Sequence, residues 1–219
     1  MLKLTPTTLS AVTLGAALMF GALTPLSAAD DDHGHDHAHE SGNGVYEGYF
    51  DDAQVEDRTL SDWEGAWQSV YPYLMDGTLD AFIEHKAAHG DLSAAEYREY
   101  YETGYRTDVD RIVISDQTVT FHDEDGAVTG RYEGDGYEIL TYDAGNRGVR
   151  YIFEKIGGDE AAPGFIQFSD HRIAPEPADH FHLYWGDDRA ALLEELTNWP
   201  TYYPAALDED ALLAEMVAH

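Results

Sequence analysis

The segment Arg111–Tyr142, RIVISDQTVTFHDEDGAVTGRYEGDGYEILTY, decides the fold class of this 219-residue chain. It contains four short runs rich in β-branched and aromatic residues, and pairs such as Asp125-Gly126 and Asp135-Gly136 are typical of the turns between strands. Short and evenly spaced strands indicate an antiparallel meander that curls into a barrel. The four predicted strands are Arg111–Ser115, Thr118–His122, Ala127–Tyr132 and Tyr137–Tyr142.

The strand pattern continues towards the C-terminus and predicts three more strands, at Val149–Glu154, Gly164–Asp170 and Asp179–Trp185. Helical patterns lie on both sides of the strands, so we expect a mainly β domain with flanking α-helices. The first predicted helix is capped by Ser61 and Glu64 and ends at Gly77, and the second starts at Leu79. The other predicted helices are Ala94–Tyr105, Arg189–Leu196 and Glu209–Val217. The aromatic run Trp199–Pro204 is interpreted as a loop packed against the barrel.

Three histidines near the last two predicted strands form a candidate metal site. His180 and His182 are two residues apart in a strand, so their side chains point to the same face. His171 ends the preceding strand, and two prolines in the connector Arg172–Asp179 predict a turn that brings it beside the pair. Three imidazoles with one open position are typical of zinc. Ordinary half-buried core histidines are the alternative, and the third histidine on the neighbouring strand favours the metal.

Composition excludes several functional classes. The chain has 43 acidic against 12 basic residues, which gives a formal net charge of −31 at pH 7. An electrostatic field of this sign repels phosphate backbones, so no nucleic-acid partner is expected. The sequence contains no cysteine, which excludes disulfides, thiolate metal sites and cysteine nucleophiles. A metal site in this chain must therefore use histidine, carboxylate or backbone ligands.

The first 29 residues have the pattern of a secretory signal peptide. They contain no acidic residue, and a largely apolar stretch, Leu9–Leu23, is followed by the small residues Ser27-Ala28-Ala29. We expect cleavage after Ala29. The apolar stretch is shorter than the roughly 20 residues that span a bilayer, so we predict a periplasmic protein without membrane insertion.

Residues 30–44 are predicted to be a flexible tail rich in histidine and aspartate, and residues 45–219 a single metal-binding domain. The tail histidines are candidate accessory ligands, although a solvated spacer explains them equally well. His85 and His89 are four residues apart on a predicted helix and could also bind a metal, or they could belong to an exposed polar face. The four tail histidines are His33, His35, His37 and His39.

Six motifs follow one another in this domain: DRTLSDWEGAWQSVYPYL (Asp57–Leu74), GYEILTY (Gly136–Tyr142), GVRYIFE (Gly148–Glu154), IQFSDH (Ile166–His171), HFHLYWG (His180–Gly186) and NWPTYYP (Asn198–Pro204). With these motifs the chain, from about Val55 onward, resembles the ZinT (YodA) family of periplasmic zinc- and cadmium-binding proteins. The resemblance implies a lipocalin-like (calycin) antiparallel β-barrel and a metal ion at His171, His180 and His182. It also implies a non-catalytic role in which the protein scavenges zinc under scarcity and helps deliver it to the periplasmic binding protein of a zinc ABC importer.

Two other functional classes stay open from the residues alone. Three histidines and an open position also describe a zinc-dependent hydrolase or hydratase that activates a bound water, although no general base can be identified in the sequence. A lipocalin-type carrier of a small ligand inside the barrel is the second alternative. The ligand set does not identify the metal either, because imidazole binds zinc, cadmium, nickel, cobalt and copper.

Overall fold

The structure is a computed structural model that describes residues 41–143, 145–194 and 196–218, with side chains from Gly44 onward. The predicted signal peptide, residues 30–40 of the predicted tail and the four tail histidines lie outside the described residues. Within the described part of the chain, no helix is both long and apolar enough to cross a membrane.

Eight antiparallel strands form a closed barrel. Each strand pairs with the next one in sequence, and the first strand pairs with the last, which confirms the predicted antiparallel barrel. Closure leaves no unpaired edge among these described strands. The strands are β1 (Gly65–Ser69), β2 (Arg111–Ser115), β3 (Thr118–Asp123), β4 (Gly126–Thr141), β5 (Arg147–Gly158), β6 (Phe165–Ser169), β7 (Phe181–Gly186) and β8 (Thr201–Pro204).

Among the residues that the structure describes, five α-helices accompany the barrel, and the predicted helices that start near Leu79, Ala94 and Glu209 are confirmed. The helix at Ala94 begins with a capping box, in which the hydroxyl of Ser93 accepts from the Glu96 amide at 3.3 Å and the Glu96 carboxylate accepts from the Ser93 amide at 2.9 Å. The helices are α1 (Ser41–Tyr46), α2 (Tyr71–Met75), α3 (Asp80–His89), α4 (Ala94–Tyr105) and α5 (Glu209–Ala218).

Large aromatic side chains fill the interior of the barrel. Trp63 is fully buried there and stacks on Phe168 with ring centroids 4.6 Å apart, while Phe153 meets both rings edge-on. A second apolar cluster is built by α2, α3, α4 and α5 and includes Tyr203 of β8. The helices therefore pack against the outside of the barrel, because Tyr203 alternates along β8 with the inward-facing Tyr202.

The helix predicted from Ser61 to Gly77 is wrong. Its first part is a single 3₁₀ turn at Leu60–Trp63, its middle is β1, and only Tyr71–Met75 is α-helical. The spacing of Trp63 and Trp67 fits a helix, but both side chains enter the barrel core. β1 pairs with β2 and β8, and these long-range hydrogen bonds outweigh the local helical periodicity.

Three smaller predictions also need correction. The two strands predicted within residues 127–142 are one strand, β4, whose register shifts against β5 near Gly136, a residue with φ of 75°. The helix predicted at Arg189–Leu196 is reduced to a 3₁₀ turn at Ala191–Leu193. The aromatic run Trp199–Pro204 contains β8, the strand that closes the barrel, and is not a loop packed against it.

Candidate metal centre

The antiparallel pair of β6 and β7 brings the three predicted ligands together. Ser169, the last residue of β6, pairs with His182. His171 lies two residues beyond Ser169, and His180 immediately precedes β7. The connector between the strands therefore folds back on itself, as its two prolines predict, and returns the chain beside His171.

The three imidazoles face one another. The centroid of the His171 ring lies 5.8 Å from that of His180 and 5.9 Å from that of His182, and the last two are 6.1 Å apart. One ring nitrogen from each residue lies within 4.8 Å of the others. Bonds of about 2.0–2.1 Å to a tetrahedral zinc ion place ligand nitrogens roughly 3.3 Å apart, so small side-chain rotations complete the geometry.

The site is on the outer face of the barrel. Phe181 and Leu183 point into the barrel core, whereas His182 lies between them on the opposite face of β7. The same outer face of β8 carries Thr201 and Tyr203. The site therefore lies between the barrel wall and the surrounding helices, and the packed barrel interior offers no support for a ligand carried inside it.

A hydrogen bond fixes the tautomer of His182. Its Nδ1 lies 2.8 Å from the hydroxyl oxygen of Thr201, and that hydroxyl donates to the backbone carbonyl of Trp199 at 2.9 Å. Because the Thr201 proton is committed to this carbonyl, its oxygen accepts the proton of His182 Nδ1. The lone pair of His182 is then on Nε2, which is the arrangement found in metal-bound histidines.

Helix α1 orients His171. The ring of Tyr46 stacks on that of His171 with centroids 4.5 Å apart, and the Tyr46 backbone accepts a hydrogen bond from the imidazole. Burial lowers the pKa of His171 below its ordinary value, while this hydrogen bond and the charge of Asp170 oppose the shift. Burial also raises the pKa of the Tyr46 phenol to about 12. A neutral His171 is the form that binds a metal ion.

The three rings differ in their access to solvent. His180 is only 7% exposed and stacks on Tyr203, with centroids 5.1 Å apart and ring planes inclined by 16°. His182 is half-buried, and His171 is the most exposed of the three even though Tyr46 covers one face. The site is therefore buried at His180 and opens to solvent at His171.

A buried ion pair anchors the backbone next to His171. Arg58 Nη1 donates to both carboxylate oxygens of Asp170, at 2.6 and 2.9 Å, and both side chains are completely buried. The indole of Trp63 donates to Asp170 at 3.1 Å, and Arg58 Nη2 donates to the carbonyl of Glu176 in the connector at 2.8 Å. Burial alone would lower the pKa of Arg58, but the hydrogen bonds and charges of Asp170 and Asp62 outweigh it and raise that pKa.

A cavity of about 480 Å³ adjoins the histidines. Its wall includes His171, His180 and Tyr203 together with the acidic residues Glu176 and Asp179 of the connector and Glu215 of α5. This opening is large enough for a hydrated metal ion. Arg172 also lines it and pairs with Glu176 and Asp179, but carboxylates remain in excess in the wall, and this excess favours a cation.

Sequence reasoning missed the residues that support the ligands. Thr201 and Tyr46 carry no motif that marks them as partners of a histidine, and Arg58 lies more than 100 positions from Asp170. The remaining histidines with described side chains lie elsewhere: His85 and His89 on α3 and His122 on β3.

Comparison with known proteins identifies the family. The sequence profile of the family described as "ZinT (YodA) periplasmic lipocalin-like zinc-recruitment" matches residues 41–219. The chain is 61% identical over 176 residues to the probable metal-binding protein YrpE of Bacillus subtilis strain 168, a match that covers 80% of this chain and 70% of YrpE.

Two streptococcal comparisons agree with this match. The chain is 52% identical over 180 residues to the zinc-binding protein AdcA of Streptococcus pyogenes serotype M1, which covers 80% of this chain but only 35% of AdcA. The chain thus spans about a third of the length of AdcA. The crystal structure of the Zn(II)-bound ZinT-like domain of Streptococcus pneumoniae AdcA superposes with a TM-score of 0.76 at 48% identity, covering 79% of this chain and 97% of that domain.

The family described by this profile recruits zinc and does not catalyse a reaction, and its lipocalin-like barrel is the fold observed here. The profile covers more than three quarters of the chain, and the relatives are identical at about half of the aligned positions or more. The chain therefore belongs to the ZinT (YodA) family of lipocalin-like zinc-recruitment proteins.

Proposed function

We propose that His171, His180 and His182 bind a zinc ion and that the chain acts as a zinc-recruitment protein outside the cytoplasm. The observation that carries this proposal is the tautomer of His182 within a group of three imidazoles, since its hydrogen bond to Thr201 places the lone pair of the neutral ring on Nε2. The hydrogen bond from His171 to the Tyr46 backbone supports the same conclusion. Fixing the ring orientation before the ion arrives lowers the ordering cost of binding.

The proposed role is to scavenge zinc when it is scarce and to pass it to the binding protein of a high-affinity importer. The zinc-bound ZinT-like domain of AdcA, which shares this fold, supports zinc as the cargo. Cadmium has similar ligand preferences and is expected to bind the same three imidazoles. Exposure of His171 next to an open cavity supports the exchange of the ion with a partner.

The proposal includes the domain arrangement predicted from the sequence. Residues 1–29 direct export, residues 30–44 form a His/Asp-rich tail, and residues 45–219 form the metal-binding domain. The tail histidines would then capture zinc weakly, because a tail must order itself around each ion, whereas the three strand-end ligands are held by the fold.

A competition titration with a chromogenic zinc chelator tests the site in the full chain. We expect one tight zinc equivalent in the unchanged protein and none in His180→Gln or His182→Gln. Thr201→Val removes the acceptor of the His182 proton and is expected to weaken the tight equivalent about 10- to 100-fold. Thr201→Ser keeps a hydroxyl and is the matched variant that retains most of the affinity.

His122→Gln controls for the loss of any histidine, since this half-buried residue on β3 lies outside the candidate site. A tight equivalent that survives in both His180→Gln and His182→Gln would contradict the proposed ligands. Equal affinities for Thr201→Val and Thr201→Ser would contradict the role given to the hydrogen bond.

A further inference from the structure

Helix α3 carries a second pair of histidines, away from the β6–β7 hairpin. His85 and His89 are four residues apart in the last turns of the helix, and their ring centroids are only 4.2 Å apart, with the planes inclined by 31°. Residues at this spacing lie one above the other on the same helix face. His89 is exposed and His85 is half-buried, so both rings are accessible from solvent.

A hydrogen bond fixes the tautomer of His89, in the same way that the Thr201 hydroxyl fixes the tautomer of His182. His89 Nδ1 lies 2.8 Å from the backbone carbonyl oxygen of His85. A carbonyl oxygen can only accept, so Nδ1 carries the proton, and in the neutral ring the lone pair is on Nε2. Metal-bound histidines commonly hold their other nitrogen in this way, with a backbone carbonyl as the acceptor.

The position of the pair on the helix also favours a cation. His89 is the last residue of α3, and Gly90 ends the helix. The carbonyl groups of the last turn carry partial negative charge, which stabilises a positive ion nearby. The only basic residue between the two histidines, Lys86, extends over the ring of Phe82, with Nζ 5.3 Å from the ring centroid.

The helix that presents the pair is held in place by the core. Phe82 and Ile83, on the other side of α3, are each about 3% exposed and belong to the apolar cluster that includes Tyr203. A pair on a packed helix has a fixed spacing between its ligands, unlike histidines in a flexible segment.

We propose that His85 and His89 form a second, exposed site for a divalent transition-metal ion, which the two imidazoles chelate from one helix face while water fills the remaining positions. The ligand class is that of Cu²⁺, Ni²⁺ and Zn²⁺, with affinity in the order Cu²⁺ over Ni²⁺ and Zn²⁺ expected for nitrogen ligands. With two protein ligands instead of three, this site binds zinc more weakly than His171, His180 and His182, here called the triad, do.

The test uses the full chain labelled with ¹⁵N-histidine and titrated with Zn²⁺ beyond the first equivalent, while long-range ¹H–¹⁵N spectra follow each ring. We expect the Nε2 signals of His89 and His85 to shift together, after those of the triad. The matched variant combines His89→Gln with Ala87→His, which keeps the number of histidines but puts the two rings on different faces of the helix. Loss of the chelate should weaken binding at His85 about 10-fold or more.

The outcomes separate this site from the proposed function. In the double variant His180→Gln, His182→Gln, the signals of His85 and His89 should still shift together, even though the triad is gone. The inference is overturned if the α3 signals stay unchanged until all other histidines are saturated, or if the relocated histidine leaves the zinc response of His85 unaltered. If His171, His180 and His182 do not bind zinc while the signals of His85 and His89 shift as expected, the proposed function is overturned and this inference is not.

Discussion

His171 has a backbone conformation that few residues other than glycine adopt. Its φ of 62° lies in the left-handed region, which costs about 1–3 kcal/mol for a residue other than glycine unless the surroundings hold it. Asp170 holds one side of the turn by accepting from the amide of Arg172 at 3.3 Å, and Tyr46 holds the ring. The conformation turns the side chain towards His180 and His182, so the strain is linked to the site.

The environment of His171 predicts how the site responds to pH. An ordinary imidazole has a pKa of about 6.5, and burial under Tyr46 moves the pKa of His171 below that value. Between the two values the unfolded chain binds more protons than the folded one. The contribution of His171 to the free energy of unfolding of the metal-free protein is therefore complete above about pH 6.5, and it is lost as pH falls through the folded pKa.

Proton NMR of the metal-free protein measures this pKa directly, and we expect the His171 signals to titrate below pH 6.5. Tyr46→Ala should raise the midpoint towards 6.5 because it uncovers the ring, whereas Tyr46→Phe keeps the stacked ring and should leave it in place. Zinc affinity should fall over the same acidic range, since ligating imidazoles must be neutral. A His171 midpoint at or above 6.5 would contradict this description.

At the scale of elements, the connector between β6 and β7 is attached to the segment that precedes β1. The Ala178 amide donates to the Asp62 carbonyl at 2.8 Å, and the Glu56 amide donates to the Ile173 carbonyl at 2.8 Å. Arg58, which lies between Glu56 and Asp62 in the sequence, forms the buried pair with Asp170. The connector that presents His171 and His180 is thus fixed at both ends by residues from a distant part of the chain.

Removing one partner of this pair should destabilise the fold strongly. Arg58→Met leaves the carboxylate of Asp170 buried without its cation, which typically costs about 3–5 kcal/mol. Urea unfolding of the metal-free protein measures the change. We also expect weaker zinc binding in the folded variant, because Asp170 precedes His171 directly. Arg58→Lys should recover only part of the loss, since an ammonium group cannot donate to Asp170, Asp62 and Glu176 in the same planar geometry.

Arg172 provides the matched control within the same connector. It pairs with Glu176 and Asp179, but these carboxylates are about half and three quarters exposed. Arg172→Gln should therefore change the free energy of unfolding by less than about 1 kcal/mol. If Arg58→Met is as mild as Arg172→Gln, the buried pair does not anchor the connector.

The sequence predicted elements well where local pattern and long-range contacts agree. Residues 111–123 contain two short runs rich in β-branched residues, and these runs form the adjacent strands β2 and β3, of which β2 has the predicted bounds. The prediction is wrong where the local pattern and the long-range contacts conflict. Trp63 and Trp67 have a helical spacing, yet barrel closure places Trp67 in β1. The prediction of a loop at Thr201 is wrong for the same reason, because the strand that contains Thr201 forms only by pairing with residues 19 positions or more away.

The candidate site shows the same division. The three histidines were identified because their spacing fits a hairpin, a local feature that the chain reveals directly. The sequence does not reveal the groups that support them, because Tyr46, Thr201 and Arg58 reach the site only through the tertiary fold.

At the scale of the whole molecule, charge is the dominant property. With 43 acidic and 12 basic residues, most carboxylates have no cation to pair with. Net charge far from zero destabilises the compact state through self-repulsion, and it also raises the local concentration of cations. The same surface thus suits the recruitment of a divalent metal ion and weakens the metal-free fold.

This balance predicts that salt stabilises the metal-free protein. The Debye length falls from about 30 Å at 0.01 M to about 8 Å at 0.15 M ionic strength, so most repulsion between exposed carboxylates is screened over that interval. We expect the melting temperature of the metal-free form to rise as NaCl increases across this range.

Sorbitol at matched osmolality carries no charge and should not reproduce the rise at these concentrations. The buried Arg58–Asp170 pair is shielded from added ions, so Arg58→Met should lower the melting temperature at every salt concentration while leaving the salt response itself unchanged. A melting temperature that does not change with NaCl would show that the carboxylates are too far apart to repel one another.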